Sequence, residues 1–362
     1  MIEGLQKMFA LSVFCQAGET GVPTRHISES RWSTRLRTVP LLRRRRDWLS
    51  LLAEKNFDHQ VSGQLSTADI FQGTTGQCLE SLRTARKKGC LTILDVVTLH
   101  NEFFSAQTVQ ECAHFGIRSY QHPLLYQRIL EEYQCADLIR VMSEPARQTF
   151  LDRGFAPERV FVASPPFDIM RFPQARFQSG RFTVSFVGLL EPAKGFHYLI
   201  DAFRSLNRAD SELLLWGNTG ARPVARYIRE QIAACRAIQL RPFSVSEIGF
   251  DKVYGISSVL VHPSLADGFG YVVGEAMACG IPVITTTTTG ASQWIVDGVN
   301  GYVVRPRDRD AIRDRLKYLM DHPSQLHEMG QAARATIAKL TIDQFRQSYC
   351  EAISGASSSI YA

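Results

Sequence analysis

Residues 262–282 read HPSLADGFGYVVGEAMACGIP. An apolar run over 256–261 leads into Pro263, and a loop with Asp267, Gly268 and Gly270 follows. An apolar, helix-like segment containing Glu275 comes next. Strand, glycine loop and helix N-terminus in that order leave backbone N–H groups free to hold an anion. The helix dipole favours negative charge at the same place. Asp267 and Glu275 flank the loop, and acids beside an anion site hold hydroxyls rather than the anion itself.

Outward from this stretch, short apolar runs alternate with amphipathic segments. Strands are expected over 182–187, 213–217, 257–262, 282–286 and 301–304, with helices over 194–206, 222–236, 246–254 and 308–321. The N-terminal half alternates likewise, with strands over 69–71, 90–97, 138–142 and 159–163 and helices over 77–88, 124–136 and 144–153. Residues 2–10 read as part of a helix, followed by a short apolar run over 11–14. Such alternation implies parallel sheets with helices on both faces. Residues 164–180 hold three prolines and no period, which reads as an interdomain linker. The expected domains are 1–168 and 169–340, with a C-terminal helix in 341–362 packing back on the first. The fold class is α/β: two doubly wound, Rossmann-like halves facing a central cleft, where such folds place their sites.

At 362 residues, with 45% hydrophobic and 21% charged residues, the chain has room for two ordinary domains. The net charge of +6 is unevenly spread, with eight arginines in 25–46. The segment 35–52, RLRTVPLLRRRRDWLSLL, mixes arginine with leucine and tryptophan. It reads either as a solvated helix face or as a basic amphipathic helix on an anionic membrane. No nucleic-acid motif accompanies it, so nucleic acid is not an expected partner. The eight cysteines form no CxxC pair, which fits a reducing compartment rather than a zinc or disulfide framework. Neither a spanning apolar run nor a signal-peptide pattern is present. A cytoplasmic setting is expected, with peripheral contact at the inner membrane face as an extension of it.

A second constellation is GLLEPAKG, residues 188–195, where a strand gives way to a helix. Gly188 permits close backbone approach and Lys194 can place a cation on a phosphate. Alone it is weak: a surface lysine capping a turn explains it as well, and the Walker spacing is absent. His100 closes the apolar run LTILDVVTLH, where strand ends face a cleft; a loop histidine without a task is the alternative. Glu111, Glu131 and Glu132 read as helix-surface acids. Gly73 and Gly76 read as cleft-lining or as turn glycines.

In order, FVGLLEPAKGFHYLIDAF, VHPSLADGFGYVVGEAMACGIPVITT and TGASQWIVDGVNGYVV resemble the C-terminal half of the family 4 (group 1) glycosyltransferases of the GT-B fold. The resemblance is strong over 182–305 and weaker over 69–168. It implies retaining transfer of a sugar from a nucleotide-sugar donor to a saccharide or lipid-linked acceptor, with no metal and no further cofactor. Glu275 then holds the donor ribose. Asp267, with the backbone of Gly268, Phe269 and Gly270, meets the sugar and diphosphate. Lys194, near Gly188, neutralises the leaving diphosphate, and His100 approaches the donor sugar.

The chain departs from that family in three places. Leu189 stands where relatives carry arginine, and Arg171 or Arg241 would have to substitute. Asp267 is one methylene shorter than the usual glutamate. The first strand and glycine-rich loop of relatives are missing before the first helix, so the N-terminal domain is expected to lack its first strand, through an upstream start or a truncation. These departures keep a second reading open, a catalytically impaired or non-enzymatic nucleotide-sugar-binding protein of the same fold.

Overall fold

The computed structural model describes residues 5–6, 9–16, 22–27, 46–117, 121–174, 180–242 and 249–360, apart from the side chains of 46–47 and 357–360. Two three-residue strands, β1 (Val13–Cys15) and β2 (Thr24–His26), pair in parallel with each other. The first large sheet holds β3 (Ile70–Thr74), β4 (Leu91–Val96), β5 (Leu138–Val141) and β6 (Val160–Val162), parallel and in chain order. Among the described residues β3 pairs with β4 alone. Helices α1 (Arg46–Gln64), α2 (Leu79–Lys87), α3 (Asn101–His114), α4 (Pro123–Cys135) and α5 (Glu144–Leu151) belong to this half. Leu82, Leu94, Val96, Ile139, Val141 and Phe150 form its core.

The second sheet holds β7 (Phe182–Val187), β8 (Ser211–Trp216), β9 (Ile238–Arg241), β10 (Val259–His262), β11 (Val283–Thr286) and β12 (Gly301–Val304). Its order is β12-β11-β10-β7-β8-β9, all parallel. Helices α6 (Phe196–Leu206), α7 (Arg222–Ala234), α8 (Phe250–Tyr254), α9 (Tyr271–Ala278), α10 (Arg309–Asp321) and α11 (Pro323–Ile337) complete it. Phe196, Leu199, Ile200 and Phe203 recur at helical spacing along α6 and pack with Val184 and Phe186 of β7. A last helix, α12 (Ile342–Ile360), sends Phe345 and Tyr349 against Phe161, Ala163 and Leu5 of the first domain.

Several elements were not legible as such. The buried residues of α3 are Asn101, Thr108, Glu111 and Cys112, so it shows no apolar period. β2 and β9 are short and largely exposed. The expected linker is no free joint: Phe167, Ile169 and Phe172 pack into the second domain's core, and the Phe167 N–H donates to the Leu340 carbonyl at 2.8 Å. Residues 35–45 of the basic segment, and most of 2–10, lie outside the described residues.

Glu132 is corrected from a surface acid to a buried anchor. Its carboxylate accepts from the Gly76 N–H at 2.5 Å and the Cys78 N–H at 3.0 Å, tying down the turn that holds Gly73 and Gly76. Glu131, by contrast, is exposed and pairs with Arg83 at 2.7 Å. Buried Asp58 accepts from the Glu80 and Ser81 N–H groups at the start of α2 and pairs with Arg128. Glu54 adds a further acid whose Oε2 is buried and unpartnered among the described residues. Burial pushes its carboxyl up to about 7, against the pull of Arg128. A carboxyl raised in the folded state contributes stability that is full below its unfolded value and is lost as pH rises through the folded one. Glu54→Gln therefore raises the melting temperature by several degrees at pH 8 and leaves it unchanged near pH 4.5. A pH series of thermal melts on both proteins checks this, and an equal shift at both ends would contradict it.

Candidate active site

The strand order of the second sheet reverses between β7 and β10. Loops at the carboxyl ends of two such strands diverge and leave a crevice, the usual ligand site of an open parallel sheet. The loop after β7 runs from Gly188, whose N–H donates to the Trp216 carbonyl at 2.9 Å, through the 3-10 turn Pro192–Lys194. Gly195 closes the turn with φ 68°, and a Cβ there would lie 2.0 Å from the Pro263 carbonyl oxygen. Only glycine permits that approach of the two loops. The Leu265 N–H then donates to the Ala193 carbonyl at 2.9 Å.

This contact delivers Lys194 to Asp267. Lys194 Nζ lies 2.6 Å from Asp267 Oδ2, and His262 Nε2 reaches the same oxygen at 3.0 Å. Burial alone would raise the Asp267 carboxyl, but Lys194 and His262 hold it far below the usual carboxylate range. Burial also lowers the His262 pKa, against the pull of Asp267. A neutral imidazole donating through Nε2 satisfies both. His262 Nδ1 is buried and has no partner among the described residues.

Behind Asp267 the glycine loop is pinned to the segment after β11. The Gly290 N–H donates to the Asp267 carbonyl at 2.9 Å and the Ala291 N–H to the Phe269 carbonyl at 2.6 Å. The Phe269 ring is core, stacked on Phe167 at 5.9 Å, so only its backbone is available to a ligand. The N–H groups of Gly268, Phe269 and Gly270 donate to no other described residue. On α9, the Glu275 Oε2 accepts from the buried Tyr254 hydroxyl at 2.7 Å, while Oε1 has no partner among the described residues. Burial raises the Glu275 carboxyl against that bond.

The first domain closes on this loop. The Ser143 hydroxyl donates to the Gly268 carbonyl at 2.7 Å, and the Glu144 N–H donates to Gln293 Oε1 at 2.7 Å. A Cβ on Gly268 would lie 2.3 Å from the Val97 carbonyl oxygen. Val97, Leu189 and Tyr271 keep 44%, 44% and 48% of their surface exposed, so Leu189 brings neither a charge nor burial.

His100 does not join this group. It caps the start of α3, where its Nδ1 accepts from the Glu102 N–H at 3.3 Å, and its ring is buried against Tyr133, Phe150 and Phe155. Burial, with Arg153 nearby, lowers its pKa to about 4. A strand-end histidine faced the aromatic core rather than the cleft because that core offered its ring more contact. Arg171 is exposed in a 3-10 turn within the linker segment. Arg241 ends β9 at the same carboxyl edge as Gly188, with β8 between them, and donates to Gln239 at 2.7 Å. His262, Tyr254 and Ser143 were not singled out beforehand. For His262 the signal was available: it ends β10 five positions before Asp267.

Two facing α/β domains with parallel sheets, a crevice at the reversal of strand order and a C-terminal helix returning to the first domain define the GT-B architecture. Solved structures agree. HepE from Anabaena, in complex with UDP and glucose, superposes with a TM-score of 0.72 over 98% of this chain and 94% of that one at 17% identity. The sucrose-phosphate synthase of Thermosynechococcus elongatus gives 0.72 over 99% and 92% at 16% identity. Residues 170–336 match the family described as glycosyl transferases group 1. Among curated relatives, the D-inositol 3-phosphate glycosyltransferase of Pseudarthrobacter chlorophenolicus is 26% identical over 62% of this chain and 58% of its own length. The chain thus spans under two thirds of that relative. An uncharacterized glycosyltransferase of Methanocaldococcus jannaschii is 33% identical over 36% of this chain and 33% of its own.

Lys194→Met strands the Asp267 carboxylate with His262 as its remaining partner. It lowers unfolding free energy by about 2 kcal/mol, the scale for a charged hydrogen-bond partner lost. Adding Asp267→Asn recovers most of that loss, because no charge is then left unpaired. Denaturant titration of both single variants and the double checks this; a double loss equal to the sum of the single losses would show the pair to be uncoupled.

Proposed function

We propose that the chain is a retaining glycosyltransferase that moves a hexosyl group from a nucleotide-sugar donor to a saccharide or lipid-linked acceptor, without a metal or a further cofactor. One observation carries this reading: a lysine and two acids are gathered around one glycine loop at the strand-order reversal, with Glu275 Oε1 left open. The open carboxylate oxygen takes the donor ribose hydroxyls. Asp267 and the N–H groups of Gly268, Phe269 and Gly270 take the sugar and diphosphate. Charge grows on the diphosphate as the glycosidic bond breaks, and Lys194 with those fixed dipoles stabilises it. Arg241 is the better placed of the two arginines to supply the charge that Leu189 does not.

UDP-hexoses are the first donors to test, because the HepE structure holds UDP and glucose. The relatives' name adds a phosphorylated polyol to the saccharides and lipid-linked saccharides as acceptor classes. The acceptor is assigned to the first-domain face of the crevice, around Val97 and Ser143. No described helix is long and apolar enough to cross a membrane. A cytoplasmic location with peripheral membrane contact through 35–52 is part of this proposal.

A second reading, donor binding without transfer, is favoured by exposed Leu189 and by the pairing of Lys194 with Asp267. A thermal-shift screen of nucleotide sugars followed by transfer and hydrolysis assays separates the two. Glu275→Ala lowers use of the best donor by about a hundredfold, the usual scale for removing a fixed polar contact to the reacting substrate. Unchanged donor affinity and turnover in that variant would remove Glu275 from the site.

A further inference from the structure

Glu111 was expected on a helix surface, and it is buried instead. It lies on α3 of the first domain, and the donors it meets come from the second. Its Oε1 accepts from Arg307 Nε at 2.7 Å and its Oε2 from His197 Nε2 at 3.0 Å, with the Tyr198 hydroxyl 3.3 Å from both oxygens. Arg307 also donates to Gln107 and Gln110 of α3, each at 2.9 Å. These three acceptors share one helix face. One turn further on, His114 stacks on His197 at 5.7 Å, and Phe115 meets the His197 ring edge-on.

Arg307 holds φ at 68°, a left-handed backbone that a side chain rarely adopts. Its surroundings must over-determine that conformation. Burial would raise the Glu111 carboxyl, but His197 and Arg307 hold it below its ordinary value, so the group is an ionised, buried carboxylate. Such a charge is tolerated only while its partners stay in place. Here the partners stay only while the domains stay docked.

We propose that Glu111 is an interdomain positioning residue: through Arg307, His197 and Tyr198 it latches the first domain onto the start of α6 and so holds Lys194, just ahead in the chain, at a fixed place beside the cleft. Among the described residues, the other hydrogen bonds between the domains join neutral groups, among them Ser143 with Gly268 and Glu144 N–H with Gln293. Among the described residues, the Glu111 cluster holds the ion pairs between the domains, which makes docking closer to all-or-none. The catalytic part of this proposal rests on the glycosyltransferase reading; the latch itself does not.

The test uses the full chain with Arg307→Ala, Glu111→Gln, Arg307→Gln, and the last two combined. Hydrogen exchange in 101–114 and 192–198 and the radius of gyration by small-angle scattering read the docking. Transfer and hydrolysis of a nucleotide sugar, with binding of the free nucleoside diphosphate, read the site. Arg307→Ala is expected to speed exchange in both segments and enlarge the radius of gyration. Turnover falls about tenfold to a hundredfold, the cost of misplacing a catalytic group by an ångström, while diphosphate affinity falls by less, because Lys194 meets more diphosphate charge in the transition state than in the bound ground state. The combined Gln variant is expected to lose less than the sum of its parts, because the carboxylate that Arg307→Gln alone leaves short of a partner is then absent. If Arg307→Ala does not fold, Gln107→Ala removes one bond of the fork without stranding a charge and shifts exchange in the same direction. Unchanged exchange and scattering, or additive losses in the combined variant, would overturn the latch. A wild-type chain that binds and turns over no nucleotide sugar would instead overturn the transferase reading, and exchange and scattering would still decide the latch.

Discussion

The arrangement at the cleft depends on one oxygen atom, Asp267 Oδ2, which accepts from both Lys194 and His262. A mostly buried carboxylate survives only with such partners. The demand reaches outward from there. Lys194 arrives because Gly195 lets the loop after β7 touch the backbone at Pro263. His262 arrives because it ends β10, the strand beside β7 at the reversal of order. Neither loop would hold this position without the other, so the crevice and its charge pair are one construction.

That construction changes the meaning of the chain's two substitutions at the site. An acid one methylene longer would extend past the lysine towards a ligand; aspartate stops at Lys194 and His262. Its charge then offsets that of Lys194, the cation proposed to meet the diphosphate, while Leu189 adds none. On the proposed reading, an incoming diphosphate competes with Asp267 for Lys194 rather than meeting a free ammonium. The gain in preorganisation is real, since Lys194 is already placed and needs no reordering. Its cost is a weaker net field at the phosphate, and the balance between them separates efficient transfer from binding alone.

Much of the fold was legible because buried parallel strands are short, apolar and bounded by turns. β7 and β12 occupy Phe182–Val187 and Gly301–Val304, the spans expected from their apolar runs. The glycine loop and its two acids were legible because their order in the chain repeats their order in space. What stayed hidden was decided by distant partners. Glu132 looked like a surface acid because the N–H groups it satisfies are 56 and 54 positions away. Glu111 looked the same because Arg307 lies 196 positions away. His100 was read from its strand end, while Tyr133, Phe150 and Phe155, which surround it, come from later elements. Helical period reports which face is apolar, and it is silent where a face is buried by polar groups, as on α3.

The same silence explains why the seam between the domains, rather than either core, carries what is particular to this chain. Each core obeys the apolar logic of a doubly wound sheet, which many sequences satisfy. The seam is built from hydroxyl, amide, carboxylate and guanidinium groups whose bonds require a defined distance and direction. Apolar surfaces tolerate sliding; a carboxylate shared by an arginine and a histidine does not. Polar matching therefore fixes the relative placement of the domains more sharply than apolar burial of equal area would. The proposed site needs that sharpness, because its donor-binding groups stand on the second domain while the face proposed for the acceptor belongs to the first.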